Sequence, residues 1–291
     1  MTNESAIRSV LVIGSGSMGW GILRSFAAAG FDATLLSRNP QGLPPLPQGA
    51  RAVNALPADP PDLIIESIPE IMELKIDLFR RLGEAYGKGP IAASNTSGLP
   101  LEDLAAAYGR PHRFVGIHYF HPADITPLVE VIAVGDPGAR IIRLVVAALA
   151  KTGKQALVLK RPVEGFLVNR LQHAILHEAY HLVDQGIVSV EDVDKVAKLL
   201  LGPRMCVTGL IEQKDISGLD THALAQQAIV PHLWHGAEPV RFLQDMYQRG
   251  VLGLKTGRGF YDWTGKDPAE VRKGAARRLS RLLAFLEKET A

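Results

Sequence analysis

His118 and Glu130 each interrupt an apolar run. His118 follows Phe-Val-Gly-Ile, Glu130 sits inside Leu-Val-Glu-Val-Ile, and a proline-bounded turn lies between them. An unpaired carboxylate is costly to bury. Glu130 therefore either faces solvent on a sheet edge or has a partner, and His118 is the nearest candidate. A histidine oriented by a carboxylate is equipped for general acid–base work; the alternative is a satisfied core pair without chemistry. Other polar residues follow apolar runs in the same way: Glu70 after "LIIESIP", and Asn95, Thr96 and Ser97 after "IAA". In open sheets, ligands bind beyond the carboxyl ends of the strands. The alternative for the Asn-Thr-Ser run is a simple helix cap.

A second constellation lies near the start. Gly14, Gly16 and Gly19 form G-x-G-x-x-G, with Ser17 and Met18 between the last two glycines. The pattern follows the apolar run "SVLVI" and opens a helical one, the context that a dinucleotide fingerprint requires. Gly14 permits the tight turn, Gly16 lets the backbone approach a pyrophosphate, and Gly19 lets helix and strand pack closely. The helix N-terminus then offers N–H groups to the anion. An acid that accepts from the adenosine ribose is expected at the end of the next strand, about 20 residues on. Ser37 and Arg38 stand there instead. A hydroxyl and a guanidinium suit a 2′-phosphate, which favours NADP over NAD; the alternative is that Arg38 is a solvated loop residue.

These residues need a scaffold that brings strand ends together. Residues 1–162 alternate strand-like and helix-like segments, as a mostly parallel, doubly wound α/β sheet of Rossmann type does. The stretch from Asn39 to Pro61 is proline-rich and reads as a loop. From Gly165 onward the pattern is helical, with no convincing strand. One helix is expected to open on a cap at Ser189 with Asp192 and to end on Gly202. Another carries Val271, Ala275, Leu279, Leu282, Leu283 and Leu286 on one stripe. The expected division is a dinucleotide-binding domain, 1–162, and an all-helical domain, 163–291. The helical half has more amphipathic faces than a short domain can bury alone.

Composition narrows the class. The chain has 291 residues, 47% hydrophobic and 21% charged, which suits one large or two ordinary globular domains. A net charge of +2 argues against a dedicated nucleic-acid surface. Cys206 is the lone cysteine, so no disulfide framework forms within the chain. No signal-peptide pattern or membrane-spanning apolar run is found, and the expected location is cytoplasmic.

The segments "VIGSGSMGWGI", "ESIPEIMELKIDLF", "ASNTSGLP", "GIHYFHP", "LVEVI", "GFLVNR" and "GLKTGRGFYDW" together resemble the 3-hydroxyacyl-CoA dehydrogenase family, in the family's order, from about residue 9 to residue 263. The resemblance implies a dinucleotide-binding domain followed by a helical domain that carries most of a homodimer interface. It implies NAD(P)-dependent hydride transfer between nicotinamide and a secondary alcohol or ketone of a 3-hydroxy or 3-oxo acid or ester, without a metal. By the same resemblance, His118 is the general acid/base, Glu130 orients it, Ser97 meets the reacting oxygen, and Asn169 meets the same oxygen or the thioester carbonyl. Glu70, Lys75 and Asn95 match residues around the nicotinamide and its ribose.

Three departures from the family pattern stand out. His121 occupies a place usually held by Asn, and Gly98 one often held by Ser. The third is larger: the short link from Arg38 to Asp62 leaves no room for the helical hairpin that covers CoA in family members. The chain is loosely similar to relatives that act on free acids, the pyridine-carboxylate dehydrogenases above all. Arg204 and Lys214 are candidates to pair with a substrate carboxylate, as alternatives to ordinary surface cations. Two other functions compete: reduction of a C=N or aromatic aldehyde substrate in the same cleft, and cofactor binding without turnover, as in lens crystallins derived from this family.

Overall fold

The computed structural model describes residues 6–87, 89–135 and 138–289. Short apolar runs form the strands. In chain order β1 (Ser9–Ile13) leads through α1 (Ser17–Ala28) to β2 (Asp32–Leu36) and β3 (Ala50–Val53). Then come β4 (Leu63–Glu66), α2 (Met72–Tyr86), β5 (Ile91–Ser94), α3 (Leu101–Tyr108) and β6 (Phe114–Tyr119). The sheet closes with β7 (Leu128–Ala133), α4 (Gly138–Lys151) and β8 (Gln155–Leu159). The spatial order is β3-β2-β1-β4-β5-β6-β7-β8. All neighbours are parallel except β6 and β7, which pair antiparallel. This is a Rossmann-type sheet, extended at one edge by β7 and β8. Its chain order reverses between β1 and β4, the crevice where such sheets take their ligands.

Two apolar clusters cover the two sheet faces. Val10, Val12, Phe26, Ile65, Val115 and Val131 belong to one; Leu11, Ile64, Phe79, Tyr108, Phe114 and Ile132 belong to the other. Along β6 the faces alternate, as a strand's period of two requires. Val115 and Ile117 enter the first cluster, and Phe114 the second. His118 therefore shares the face of Phe114.

The proline-rich link is not all loop. Ala50–Val53 pairs in parallel with β2 as the outermost strand. An edge strand needs only one hydrogen-bonding side, and with exposed Arg51 among its residues it lacks a buried strand's apolar run.

Two compact units divide the chain, Met1–Arg170 and Leu171–Ala291. Helix α5 (Phe166–Asp184) runs across that division. The second unit continues with α6 (Val190–Val196), α7 (Gly202–Thr208), α8 (Glu212–Ser217), α9 (Leu219–Ile229), α10 (Arg241–Gln248) and α11 (Pro268–Glu289). Ser189 caps α6: its Oγ accepts from the Asp192 N–H at 3.1 Å and donates to Asp192 Oδ2 at 2.8 Å. Gly202 does not end the helix as its type suggested. A π-helical turn, Ala197–Leu201, carries the backbone on into α7, and the stop comes at Gly209, with φ +65°. Pro203 lacks the N–H that a regular turn would use, so the widened turn sits just before it. Gly202 is needed for space, since a Cβ there would lie 2.8 Å from the Ala197 carbonyl oxygen.

Inside the second unit, the Trp234 ring stacks on His177 at 3.9 Å and on His181 at 5.1 Å. Tyr180, Phe242 and Phe260 form a second ring cluster. Among the described residues no helix is long and apolar enough to cross a membrane.

Candidate active site

A cleft of about 980 Å³ opens at the strand ends of the first unit. Its near wall is the turn between β1 and α1. Gly14 has φ +114°, and a Cβ on it would lie 2.4 Å from the Ser67 carbonyl oxygen, so any other residue is both strained and blocked. A Cβ on Gly19 would meet the Gly14 oxygen at 1.9 Å, whereas Gly16 has open space beside it. No side chain caps α1, so the first-turn N–H groups, including those of Ser17 and Met18, are left for an anion. These features fit a dinucleotide.

Further along this wall the cleft is lined by Ser37, Arg38, Asn54 and Arg81. Ser37 Oγ donates to Ser15 Oγ at 3.2 Å and receives the Asn39 N–H at 3.4 Å. Arg38 is exposed.

At the other end the sheet brings His118 and Glu130 together. His118 and Glu130 are direct partners across the antiparallel β6–β7 pair, and residues opposite each other in such a pair share a face. His118 Nδ1 lies 2.8 Å from Glu130 Oε2. With a carboxylate as its only acceptor there, Nδ1 carries the proton and Nε2 is the nitrogen left for the cleft, which His118 lines. Phe120 and Phe166 flank the ring at 4.5 and 5.5 Å.

Glu130 itself is fully buried. Its other oxygen accepts the N–H groups of Leu167 and Val168 at 2.8 and 2.9 Å, at the start of α5. The buried carboxylate thus has a histidine on one oxygen and a helix N-terminus on the other. Burial pushes its carboxyl up, but the bonds from His118, Val168 and Leu167 outweigh this and hold it below the usual carboxylate value.

The third wall is the turn after β5. Glu70 Oε1 accepts Thr96 Oγ1 at 2.5 Å, the Ser97 N–H at 2.8 Å and Ser97 Oγ at 3.2 Å. Burial raises the Glu70 carboxyl; Thr96, Ser97 and Lys75 outweigh it and leave the group lowered. Asn95 ties three strand ends: Nδ2 donates to Ser67 Oγ at 3.1 Å and Oδ1 accepts the Tyr119 N–H at 2.8 Å. Asn169 Nδ2 donates to the Ser97 carbonyl at 3.4 Å. His121 also lines the cleft.

Not every expected residue reaches the cleft surface. Lys75 is 1% exposed and is bound to Glu66, Glu70 and the Ile68 carbonyl, behind the wall. Arg204 and Lys214 belong to the second unit; Arg204 is exposed, and Lys214 reaches its neighbour Gln213 Oε1 at 3.4 Å. Sequence reasoning passed over Glu66, which is fully buried at the end of β4. Its signal is the one Glu130 shows, a carboxylate closing an apolar strand.

Comparison with known proteins agrees with this fold. Residues 50–162 match the family model described as 3-hydroxyacyl-CoA dehydrogenase, NAD binding domain, and residues 165–263 match its C-terminal domain. A probable 3-hydroxybutyryl-CoA dehydrogenase of Bacillus subtilis (strain 168) is 33% identical over 288 residues, covering 89% of this chain and 99% of that one. A 5-formyl-3-hydroxy-2-methylpyridine 4-carboxylate 5-dehydrogenase of Mesorhizobium japonicum is 30% identical over 226 residues, covering 78% of this chain and 73% of the relative. The crystal structure of a dehydrogenase acting on that same pyridine carboxylate, described as an NAD+-dependent dismutase, superposes with a TM-score of 0.90 at 27% identity, over 97% of this chain and 99% of the other. A 3-hydroxyacyl-CoA dehydrogenase of Archaeoglobus fulgidus reaches 0.69, also at 27% identity, over 96% of this chain and 99% of the other.

The fold and cleft define a dinucleotide-dependent dehydrogenase that acts on CH–OH groups. The chain belongs to the 3-hydroxyacyl-CoA dehydrogenase family.

Proposed function

We propose that the protein oxidises a secondary alcohol, or reduces the matching ketone, of a small 3-hydroxy or 3-oxo acid or ester, with NADP(H) favoured over NAD(H). The observation that carries this is the His118–Glu130 pair, with its remaining ring nitrogen turned to a cleft whose opposite end is a dinucleotide turn. When bound, the nicotinamide supplies hydride transfer at the alcohol carbon. His118 Nε2 takes the hydroxyl proton in oxidation and returns it in reduction. Glu130 fixes the ring and stabilises its charged form. Ser97 and Asn169 hold the reacting oxygen, Glu70 and Asn95 shape the nicotinamide end, and Arg38 with Ser37 receives the 2′-phosphate. His121 is a wall residue of the substrate end, and Arg204 and Lys214 are candidate partners for a substrate carboxylate.

Lack of a CoA clamp supports a small substrate: between β2 and β4 the described chain holds a short 3₁₀ turn, Pro40–Gly42, and β3. The TM-score of 0.90 to a pyridine-carboxylate dehydrogenase, against 0.69 to a 3-hydroxyacyl-CoA dehydrogenase, favours a second reading, turnover of an aromatic aldehyde in the same cleft. A panel of 3-hydroxy acids, their N-acetylcysteamine thioesters and aromatic aldehydes, each assayed with NAD+, NADP+, NADH and NADPH, tests both. Tight NADPH binding with no turnover of any panel member would instead favour the crystallin-like, non-catalytic reading.

A homodimer through the helical unit completes the proposal. No described residue of Leu171–Ala291 is buried. Apolar side chains exposed to this degree mark an association surface.

A further inference from the structure

Outside the proton-transfer pair, the heaviest concentration of buried charge lies behind the cleft wall. Glu66 is 0% and Lys75 1% exposed. Lys75 Nζ donates to Glu66 Oε1 at 2.5 Å and to the Ile68 carbonyl at 3.3 Å, and lies 3.2 Å from Glu70 Oε2. Glu66 has partners on both oxygens: Oε1 also accepts the Ile68 N–H at 2.7 Å, and Oε2 accepts Ser94 Oγ at 2.6 Å. Glu70, by contrast, has a side chain 40% exposed, and its remaining oxygen takes the N–H and hydroxyl of Ser97. An unbroken line of charge-assisted bonds therefore runs from the sheet interior to the Ser97 hydroxyl.

We propose that Glu66 is a positioning residue of the active site, which anchors Lys75 so that Lys75 holds Glu70, and Glu70 in turn aims the Ser97 hydroxyl. The inference rests on the reading of Ser97 as the group that meets the reacting oxygen. A buried ion pair is a poor source of stability, since a well-packed neutral pair commonly serves as well. What the pair supplies here is a fixed ammonium against which a half-exposed carboxylate settles in one orientation. Without Lys75, Glu70 keeps the bonds from Thr96 and Ser97 on Oε1 but loses the cation that pins Oε2, so the carboxylate that orders the backbone and side chain of Ser97 is held at one oxygen only. Lys75 contributes from behind the wall, through Glu70. Ser97 also donates its hydroxyl proton to Glu70, which leaves its oxygen as an acceptor toward a substrate hydroxyl.

The test separates this role from plain packing. Glu66→Gln/Lys75→Met replaces the ion pair by a neutral pair, and Lys75→Met alone strands the Glu66 charge. Lys75→Met should unfold at a clearly lower temperature, and the double variant close to wild type. In the folded double variant, amide exchange across residues 95–99 should be about tenfold faster, with exchange in β1 unchanged. With the 3-hydroxybutyryl N-acetylcysteamine thioester and NADP+, kcat should fall about tenfold or more while KM moves less than about threefold. A folded double variant with wild-type exchange across 95–99 overturns the inference. Wild type without turnover of the thioester counts against the substrate reading alone, because exchange is read without substrate. Should the double variant not fold, Glu66→Asp gives a second reading at the Ser97 N–H, which donates to Glu70: faster exchange there supports the relay, and unchanged exchange there rejects it whatever the Tm.

Discussion

His118 and Glu130 lie 12 residues apart in sequence and directly opposite each other in space, because an antiparallel turn folds one strand back on the other. The ring is held in one orientation by its bond to Glu130 and by the Phe120 and Phe166 rings. His118→Ala should lower turnover roughly 10²–10⁴-fold with cofactor binding intact. Near-full activity in that variant would move the proton to another group, His121 first. Glu130→Gln keeps the shape and removes the charge, so kcat should fall with little change in KM. The same substitution tests acid stability. The Glu130 carboxyl is lowered in the fold, so its contribution is complete above the ordinary carboxylate value and is lost as pH falls through the folded one. Wild-type Tm, followed from pH 7 downward, should therefore drop more steeply in the acid range than that of Glu130→Gln. Parallel curves would show that the native carboxyl is not lowered.

At the scale of elements, the proposed choice of dinucleotide and of substrate rests on the turn between β1 and α1 and on the link after β2. Arg38→Ala should weaken NADPH by roughly 1.5–3 kcal/mol and leave NADH nearly unchanged if the guanidinium pairs with the 2′-phosphate. Kd values for both cofactors on wild type check the premise, and equal or tighter NADH binding would refute it. The missing hairpin predicts that a 3-oxoacyl-CoA and its N-acetylcysteamine thioester differ in kcat/KM by less than about tenfold, since that ratio measures binding to the remote part of the substrate. Elements with strong periodicity were legible before the structure. The Rossmann alternation, the glycine turn and the 118/130 pair each leave a pattern in residue type. Those that escaped lack one. β3 has a single bonded side and no apolar run, and the turn at Ala197–Leu201 is a backbone adjustment to Pro203 that Gly202 disguises as a stop. Glu66 carried a readable signal, yet its partner Lys75 comes from a helix whose exposed neighbours, Leu74 and Asp77, suggest an ordinary surface. Only the packing shows that Lys75 turns inward.

For the molecule as a whole, the two units contrast in what they bury. The first has a core on each face of its sheet. In the second, Leu199, Val207, Ile211 and Leu224 are 77%, 79%, 75% and 68% exposed. On α11, Val271, Leu279, Leu283 and Leu286 are half-buried, while Leu282 is 47% exposed. A helical unit with so little apolar burial has little to set against the entropy of ordering its chain. The proposed second copy would supply the missing cover, since a self-complementary patch gives a closed dimer. Light scattering at micromolar concentration should return twice the chain mass. Val207→Glu/Ile211→Glu replaces two exposed apolar side chains by charges. On a free surface such changes cost within about 0.5 kcal/mol each, whereas in a desolvated interface they oppose association. The variant should therefore shift toward monomer and lose several degrees of Tm, with a dependence on protein concentration that the wild type shows only at far greater dilution. A wild type that scatters as a monomer, or a variant indistinguishable from it in mass and Tm, would show that these side chains remain in water and that the helical unit is stabilised without a partner copy.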